Sequence, residues 1–262
     1  MHSIFDIACN FTSERFDNDL EIVIERAIQS NVTKFGLICS RLSDIPKLMH
    51  IQKNFSESMS FTIGVHPHHA NEVDENSLIE LKNLINRYSP NAVGETGLDF
   101  FRNLSTYEEQ IYAFEEQIKI AIEFNKPLFL HQRDSHDDFI KILKKYSSDI
   151  NKAVVHCFTG TQSELDDYLK LNCFIGVTGW ICDEKRNVEL RKTIKNIPLS
   201  KLMIETDCPY LIPKNLPEKP TNNRNEPSYL NHIIDEISVL MEVDKNDLLK
   251  ETYLNSVNFF GN

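Results

Sequence analysis

Five short apolar runs in this chain each lead into a side chain that metals and protons use. Ala92-Val93-Gly94 leads into Glu95, and Pro127-Leu128-Phe129-Leu130 into His131. Ala153-Val154-Val155 leads into His156, Leu202-Met203-Ile204-Glu205-Thr206 into Asp207, and Phe61-Thr62-Ile63-Gly64-Val65 into His66. Imidazoles together with carboxylates make a mixed nitrogen and oxygen donor set. Such a set suits Mg²⁺, Mn²⁺ or Zn²⁺ better than calcium or a thiolate metal. In hydrolysis a divalent ion lowers the pKa of water to roughly 7 and stabilises charge on the oxygen under attack. Glu95, His131, His156 and Asp207 are the core of such a site. Glu95 could bridge two ions if two bind. Asp207 could orient or deprotonate the attacking water, or serve as a further ligand.

Other residues cluster around these positions in the sequence. His66 precedes Pro67, which holds it extended. It could bind a second ion, contact a phosphate or donate a proton to the leaving oxygen. His68 and His69 read as ordinary loop residues. Glu205 stands two residues before Asp207, on the same face of a strand. There it would orient a ligand histidine. Asp99 would position a ligand or Arg133. Arg102, Arg133 and Arg224 fall in loops where guanidinium groups could clamp phosphate oxygens. Phe100, Phe101, Phe158, Trp180 and Tyr210 follow strand ends, where rings could stack on unpaired bases.

For those side chains to converge, the apolar runs must be neighbouring parallel strands with their carboxyl ends together. Eight such runs are legible: Ile4–Asn10, Lys34–Cys39, Phe61–Val65, Ala92–Glu95, Pro127–His131, Ala153–His156, Cys173–Val177 and Leu202–Thr206. Amphipathic stretches separate them, over about Asn18–Ser30, Ser43–Phe55, Glu75–Tyr88, Thr106–Phe124, Ser135–Tyr146, Gln162–Leu171 and Glu184–Ile197. Ile111, Phe114, Ile118 and Ile122 share one helix face in the longest of these. Alternating β and α elements predict a parallel sheet with right-handed crossovers. Eight units fit a closed (β/α)₈ barrel, whose chemistry sits at the carboxyl ends of its strands. An open doubly wound sheet is the competing fold. Four prolines within 208–221 predict a stiffened loop, followed by helices over Pro227–Leu240 and Asp244–Phe259.

Composition bounds the rest. The 262 residues match the roughly 250 of one barrel, so 1–262 reads as a single domain. With 41% hydrophobic residues the chain can bury a large core, which argues against disorder. No run reaches the length of a membrane span. The Met1–Asp6 segment lacks the basic-then-apolar order of a signal peptide. Six dispersed cysteines with no CxxC pair read as reduced thiols, so the expected compartment is the cytoplasm. The net charge of −11 excludes a basic protein that coats duplex nucleic acid. It permits an enzyme that handles one phosphodiester at a time, with cations and a few arginines supplying local charge.

Seven segments in order resemble the TatD family of metal-dependent deoxyribonucleases. They are Phe5-Asp6-Ile7, Gly64-Val65-His66-Pro67-His68, Gly94-Glu95-Thr96-Gly97-Leu98-Asp99-Phe100, His131-Gln132-Arg133-Asp134, His156-Cys157-Phe158-Thr159-Gly160, Ile204-Glu205-Thr206-Asp207 with Pro209-Tyr210-Leu211, and Arg224-Asn225-Glu226-Pro227. The resemblance spans nearly the whole chain. It implies an amidohydrolase-type (β/α)₈ barrel with Glu95, His131 and His156 as metal ligands, Asp207 as the catalytic carboxylate and His66 as an active-site histidine. It also implies a Mg²⁺-dependent 3′–5′ exonuclease of single-stranded DNA and RNA, with a part in repair of oxidised DNA. Ala8 and Asn10 stand where most of the family has a His-x-His pair. Neither replaces an imidazole, so one metal position is weakened and water-rich coordination, as for Mg²⁺, is favoured. The bacterial TatD branch is similar in lacking that pair.

The sequence thus predicts a monomeric exonuclease using one or two Mg²⁺ ions, with Mn²⁺ or Zn²⁺ as alternatives. Arg133 and Arg224 would bind a single-stranded 3′ end. One rival is a barrel hydrolase of another ester, such as an aminoacyl-tRNA deacylase. The other is a non-catalytic nucleic-acid-binding module.

Overall fold

The computed structural model describes residues 3–261; Met1, His2 and Asn262 lie outside the described residues, and with them the first part of the amino-terminal segment read above. The strands are β1 (Ile4–Cys9), β2 (Val32–Leu37), β3 (Met59–Ile63), β4 (Ala92–Asp99), β5 (Leu128–Arg133), β6 (Ala153–Val155), β7 (Phe174–Val177) and β8 (Leu202–Ile204). They form one eight-stranded sheet in sequence order, and every neighbouring pair is parallel. The order excludes the open doubly wound sheet, in which the strand sequence reverses at a switch point. The last seam is made by side chains as much as by backbone. Cys9 and Cys208 form a parallel backbone β-bridge with both thiols free, the Asn10 amide donates to the Cys208 carbonyl at 2.9 Å, and the Thr206 amide and hydroxyl both donate to the buried carboxylate of Asp6.

The helices are α1 (Leu20–Gln29), α2 (Ile45–Asn54), α3 (Glu75–Tyr88), α4 (Tyr107–Glu123), α5 (His136–Tyr146), α6 (Gln162–Lys170), α7 (Val188–Thr193), α8 (Leu230–Met241) and α9 (Lys245–Phe260). Three start at reciprocal caps: Asp74 with Ser77, Thr106 with Glu109, and Thr161 with Glu164. Each satisfies backbone donors that a helix start leaves open. The stretch expected as a helix over Glu184–Ile197 is shorter. Only Val188–Thr193 is α-helical, with a 3₁₀ turn at Ile194–Asn196. Ahead of it the Asp183 carboxylate accepts from the Lys185 and Arg186 amides, and that local turn competes with helix.

Two apolar layers hold the barrel. One lies between strands and helices and includes Leu37, Phe114, Ile118, Phe139 and Ile233. The other gathers Phe5, Phe129, Val154, Phe174 and Met203 against Phe259 and Phe260 at the end of α9. Phe260 stacks on Phe5 with ring centroids 5.2 Å apart, and the Asn91 side chain donates to its carbonyl. Asn91 and Phe5 both stand at the amino ends of strands. The end of α9 therefore plugs one mouth of the barrel, and the opposite mouth carries the polar residues.

Candidate active site

The carboxyl ends of β3, β5 and β6 bring His66, His131 and His156 around one oxygen of Glu95 on β4. Glu95 Oε1 lies 2.7 Å from His156 Nε2, 2.9 Å from His131 Nδ1 and 3.3 Å from His66 Nε2. Glu95, His66 and His156 are buried, and His131 is partly so. Close approach of backbones makes the convergence feasible. Gly97 sits opposite His131 in the β4–β5 pairing, and a Cβ there would lie 1.9 Å from the His131 carbonyl oxygen. Gly94, at φ +150°, would put a Cβ 2.4 Å from the Phe129 carbonyl oxygen. Both positions need glycine for conformation and for space.

A chain of carboxylates and imidazoles extends from this hub. His131 Nε2 is 3.3 Å from Asp99 Oδ2, which is 2.7 Å from His68 Nε2. On the other side His156 Nδ1 is 3.4 Å from Glu205 Oε2, an ion-pair contact without hydrogen-bond alignment. Glu205 Oε1 accepts from the Cys157 amide. The expectation for Glu205 beside a histidine matches this arrangement. Asp99 braces His131, not Arg133, and His68 belongs to the site and is no ordinary loop residue. His69 instead pairs with the exposed Glu72.

Burial opposes charge on Glu95, but the neighbouring His156 and His66 and hydrogen bonds from His131 and His156 outweigh it. The carboxyl is held well below the usual range. Burial likewise disfavours a charged His156, yet Glu95 and Glu205 raise its pKa well above the ordinary histidine value. His131 is raised too, as Asp99 and Glu95 overcome its desolvation. His66 goes the other way: burial pushes it down to about 4 against the pull of Glu95. The His68 amide donates to His66 Nδ1 at 3.0 Å, so the neutral ring carries its proton on Nε2, facing Glu95. Asp207 is pushed up to about 7 by burial, with His156 opposing and Glu95 and Glu205 adding to the rise. The Asn10 side chain donates to Asp207 Oδ1 at 2.8 Å. Asn10 thus tethers the carboxylate at the position where an imidazole ligand would otherwise stand.

One ligand atom each from His66, Glu95 and His131 lie within 4.8 Å of one another, and His156 joins through Glu95. Three ring nitrogens packed against a single anionic oxygen fit a divalent cation, whose charge would replace the protons that now join them.

The arginines divide. Arg133 ends β5 with its guanidinium 4.0 Å from the centroid of the Phe101 ring, which is 56% exposed. Arg224 is a correction to the sequence reading. Its guanidinium is buried, donates to both oxygens of Asp19, to Glu226 and to the Arg15 carbonyl, and lies over Phe16. No donor is left aimed at a phosphate except the buried, unpartnered Nε. Phe158 is also corrected: it is 3% exposed and packs edge-on against Tyr168 in the core. Phe100 is half-buried beside Tyr107, whereas Phe101 and Tyr210 face solvent.

Two glutamines on α4 escaped the sequence reading. Gln117 accepts from the Val65 amide at 2.7 Å and donates to its carbonyl at 3.0 Å, fixing the backbone just ahead of His66. Gln110 accepts from the Asp99 amide at 2.8 Å and donates to the Ser105 carbonyl. Their signal was present: two polar residues seven apart, on the same buried stripe as Phe114.

A closed (β/α)₈ barrel with a His/Glu cluster at its open mouth defines a metal-dependent hydrolase fold. Comparison with known proteins places it more closely. The sequence model of the TatD related DNase family matches residues 5–261, and the chain belongs to that family. It is therefore a nuclease, a hydrolase of ester bonds. It is 40% identical over 257 residues, covering 98% of this chain and 99% of the relative, to the 3′–5′ ssDNA/RNA exonuclease TatD of Erwinia tasmaniensis. The fold superposes on a TatD homologue from Escherichia coli with a TM-score of 0.90, at 26% identity and 99% and 98% coverage of the two chains. A TatD family hydrolase from Entamoeba histolytica gives 0.89 at 29% identity, with 98% of each chain covered.

Proposed function

We propose that the protein is a Mg²⁺-dependent 3′–5′ exonuclease of single-stranded DNA and RNA, acting as a monomer on unpaired 3′ ends. The observation that carries the reading is the meeting of three imidazole nitrogens on Glu95 Oε1 within 3.3 Å, with Asp207 alongside. Glu95, His131 and His156 would hold the cation. When bound, it supplies Lewis-acid charge at the phosphate and acidifies water. Asp207, tethered by Asn10, orients the attacking water and takes its proton. His66 Nε2 lies 3.3 Å from Glu95 Oε1, where the ring can bind a second ion or meet a phosphate or leaving oxygen. Asp99 and Glu205 hold His131 and His156 in orientation from behind. Arg133, backed by Phe101, ends β5 with its guanidinium placed to meet substrate phosphate.

The curated relatives named as 3′–5′ ssDNA/RNA exonucleases support polarity and strandedness. Asn10 in place of an imidazole leaves a coordination position to water, and water-rich coordination supports Mg²⁺ over Zn²⁺. Residues 1–262 form the one catalytic domain on this reading. The six free cysteines fit a reducing, cytoplasmic setting, where trimming of oxidised DNA ends is the role assigned. No described helix is long and apolar enough to cross a membrane. End-labelled single-stranded and blunt duplex substrates, incubated with Mg²⁺, Mn²⁺, Zn²⁺ or chelator, test the proposal. Stepwise loss from the 3′ end of single strands, requiring the cation, is expected. Intact single strands alongside rapid release of an aminoacyl-tRNA ester would move the assignment to the deacylase reading.

A further inference from the structure

We propose that the cleft between the loop after β7 and the proline-rich loop after β8 seats an unpaired nucleotide of the substrate strand next to the cleavage point. This deepens the nuclease reading and rests on it.

The cleft is a cavity of about 390 Å³, within the range of small-ligand sites. Its walls come from Gly179 and Trp180 in the loop after β7 and from the segment following Asp207. Trp180 and Tyr210 line it, and so do Arg15, Arg186, Lys214 and Lys219. Four cations in one cavity run against a chain that carries a net charge of −11. Arg15 is turned towards the neutral carbonyls of Pro209 and Asn223, so its charge is not neutralised. Among the described residues, Arg186, Lys214 and Lys219 have no carboxylate within ion-pair distance, whereas many other lysines and arginines of this surface do. Asp183, the acid in the cavity wall, spends its Oδ1 on the amides of Lys185 and Arg186.

A cleft with four cations against the single acid Asp183, and with two aromatic walls, has the chemistry of single-stranded nucleic acid. Rings stack on a base face whatever the base, and lysines and arginines track the phosphates. Position ties the cleft to the reaction. Tyr210 lies three residues past Asp207 and its amide donates to the Asp207 carbonyl at 3.0 Å. A strand whose terminal linkage lies at Glu95 and Asp207 therefore passes the cleft with its neighbouring nucleotide. A paired base cannot turn its face into the cavity without leaving its duplex, so the cleft also selects unpaired ends. Gly179 lets the two loops abut at the cleft: a Cβ there would lie 2.5 Å from the Leu211 carbonyl oxygen.

Trp180 is the protein's single tryptophan, so its emission reports this cavity directly. The test titrates the full-length protein in EDTA, where cleavage is blocked, with oligo(dT), a blunt duplex and inorganic phosphate. Anisotropy of a labelled strand measures binding in parallel. Saturable quenching by oligo(dT), none by the duplex, and a Kd raised about tenfold in an Arg186→Glu, Lys214→Glu double variant are expected. A Trp180→Ala variant should weaken binding similarly, and Trp180→Phe should restore most of it. Emission that stays constant while the strand binds, or a double variant with wild-type Kd, overturns the cleft. The two readings fail separately. Quenching without Mg²⁺-dependent cleavage would remove the nuclease assignment and keep the cleft. Cleavage with unmoved emission and an unaffected double variant would do the reverse.

Discussion

At the scale of single residues, the site is a row of alternating acids and imidazoles: His68, Asp99, His131, Glu95, His156, Glu205. Each imidazole in the middle of the row is held from both sides, which fixes ring orientation before any cation arrives. The outer carboxylates should therefore matter even though they sit behind the donors. Glu205→Gln or Asp99→Asn is expected to weaken Mg²⁺ affinity or turnover by about 10–100-fold. Calorimetric Mg²⁺ titration and single-turnover cleavage would measure it, and a change below about twofold in both would show that the rings need no bracing. Removing the hub is expected to do more. Glu95→Gln keeps the shape but removes the charge on which three imidazole nitrogens converge, so loss should exceed that of either outer variant in the same assays. Much of this row was legible from strand-end positions. Strand-end chemistry announces itself because an apolar run breaks at a polar residue. His68 did not announce itself, since it lies in the 3₁₀ segment Pro67–Glu72 and owes its place to Asp99, 31 residues away.

At the scale of elements, the expected strands all form, with ends shifted by packing. The β4 reading stopped at Glu95, but the strand continues to Asp99, because Gly97, Leu98 and Asp99 pair with His131, Gln132 and Arg133. No apolar run marks that extension, since Leu98 is its one apolar side chain, set among Thr96, Gly97 and Asp99. Helix α4 shows the converse. Its apolar stripe was readable, yet the two glutamines within it do the positioning. Gln117 satisfies both the amide and the carbonyl of Val65, groups that are otherwise buried. Gln117→Leu keeps the packing and orphans both, at about 1–3 kcal/mol for each buried group. The expected outcome is a lower urea midpoint together with slower cleavage, because the strand end that carries His66 is released. Lost stability with kcat intact would show that His66 does not depend on this anchor.

At the scale of the whole molecule, the closing seam between the first and last strands is where distant segments decide the fold, and no local pattern foretold it. Arg224 lies 205 residues from Asp19, and it joins the loop after β8 to the segment leading into α1. Arg26 on α1 grips the same Glu226 through two hydrogen bonds of 2.8 and 2.9 Å. The pattern Arg-Asn-Glu-Pro thus closes a barrel, and the phosphate-binding role expected for Arg224 gives way to a structural one. Arg224→Ala leaves the buried Glu226 with Arg26 alone and removes the partner of Asp19. The expected cost is about 3 kcal/mol, at the low end for breaking a buried pair because Arg26 remains. In a chain of this size that lowers Tm by roughly 6–12 °C. The pH dependence follows from Asp19, whose carboxyl is held below its ordinary value chiefly by the Arg224 hydrogen bond. A depressed carboxyl contributes stability that is present above its unfolded pKa of about 3.9 and is lost as pH falls through the folded value. Urea melts from neutral pH to about pH 3 should therefore show wild type losing its advantage over Arg224→Ala at the acid end. KM for single-stranded substrate, measured on the folded fraction at neutral pH, should stay near wild type. A KM raised about tenfold with unchanged Tm would return Arg224 to the substrate and take the seam apart as its explanation.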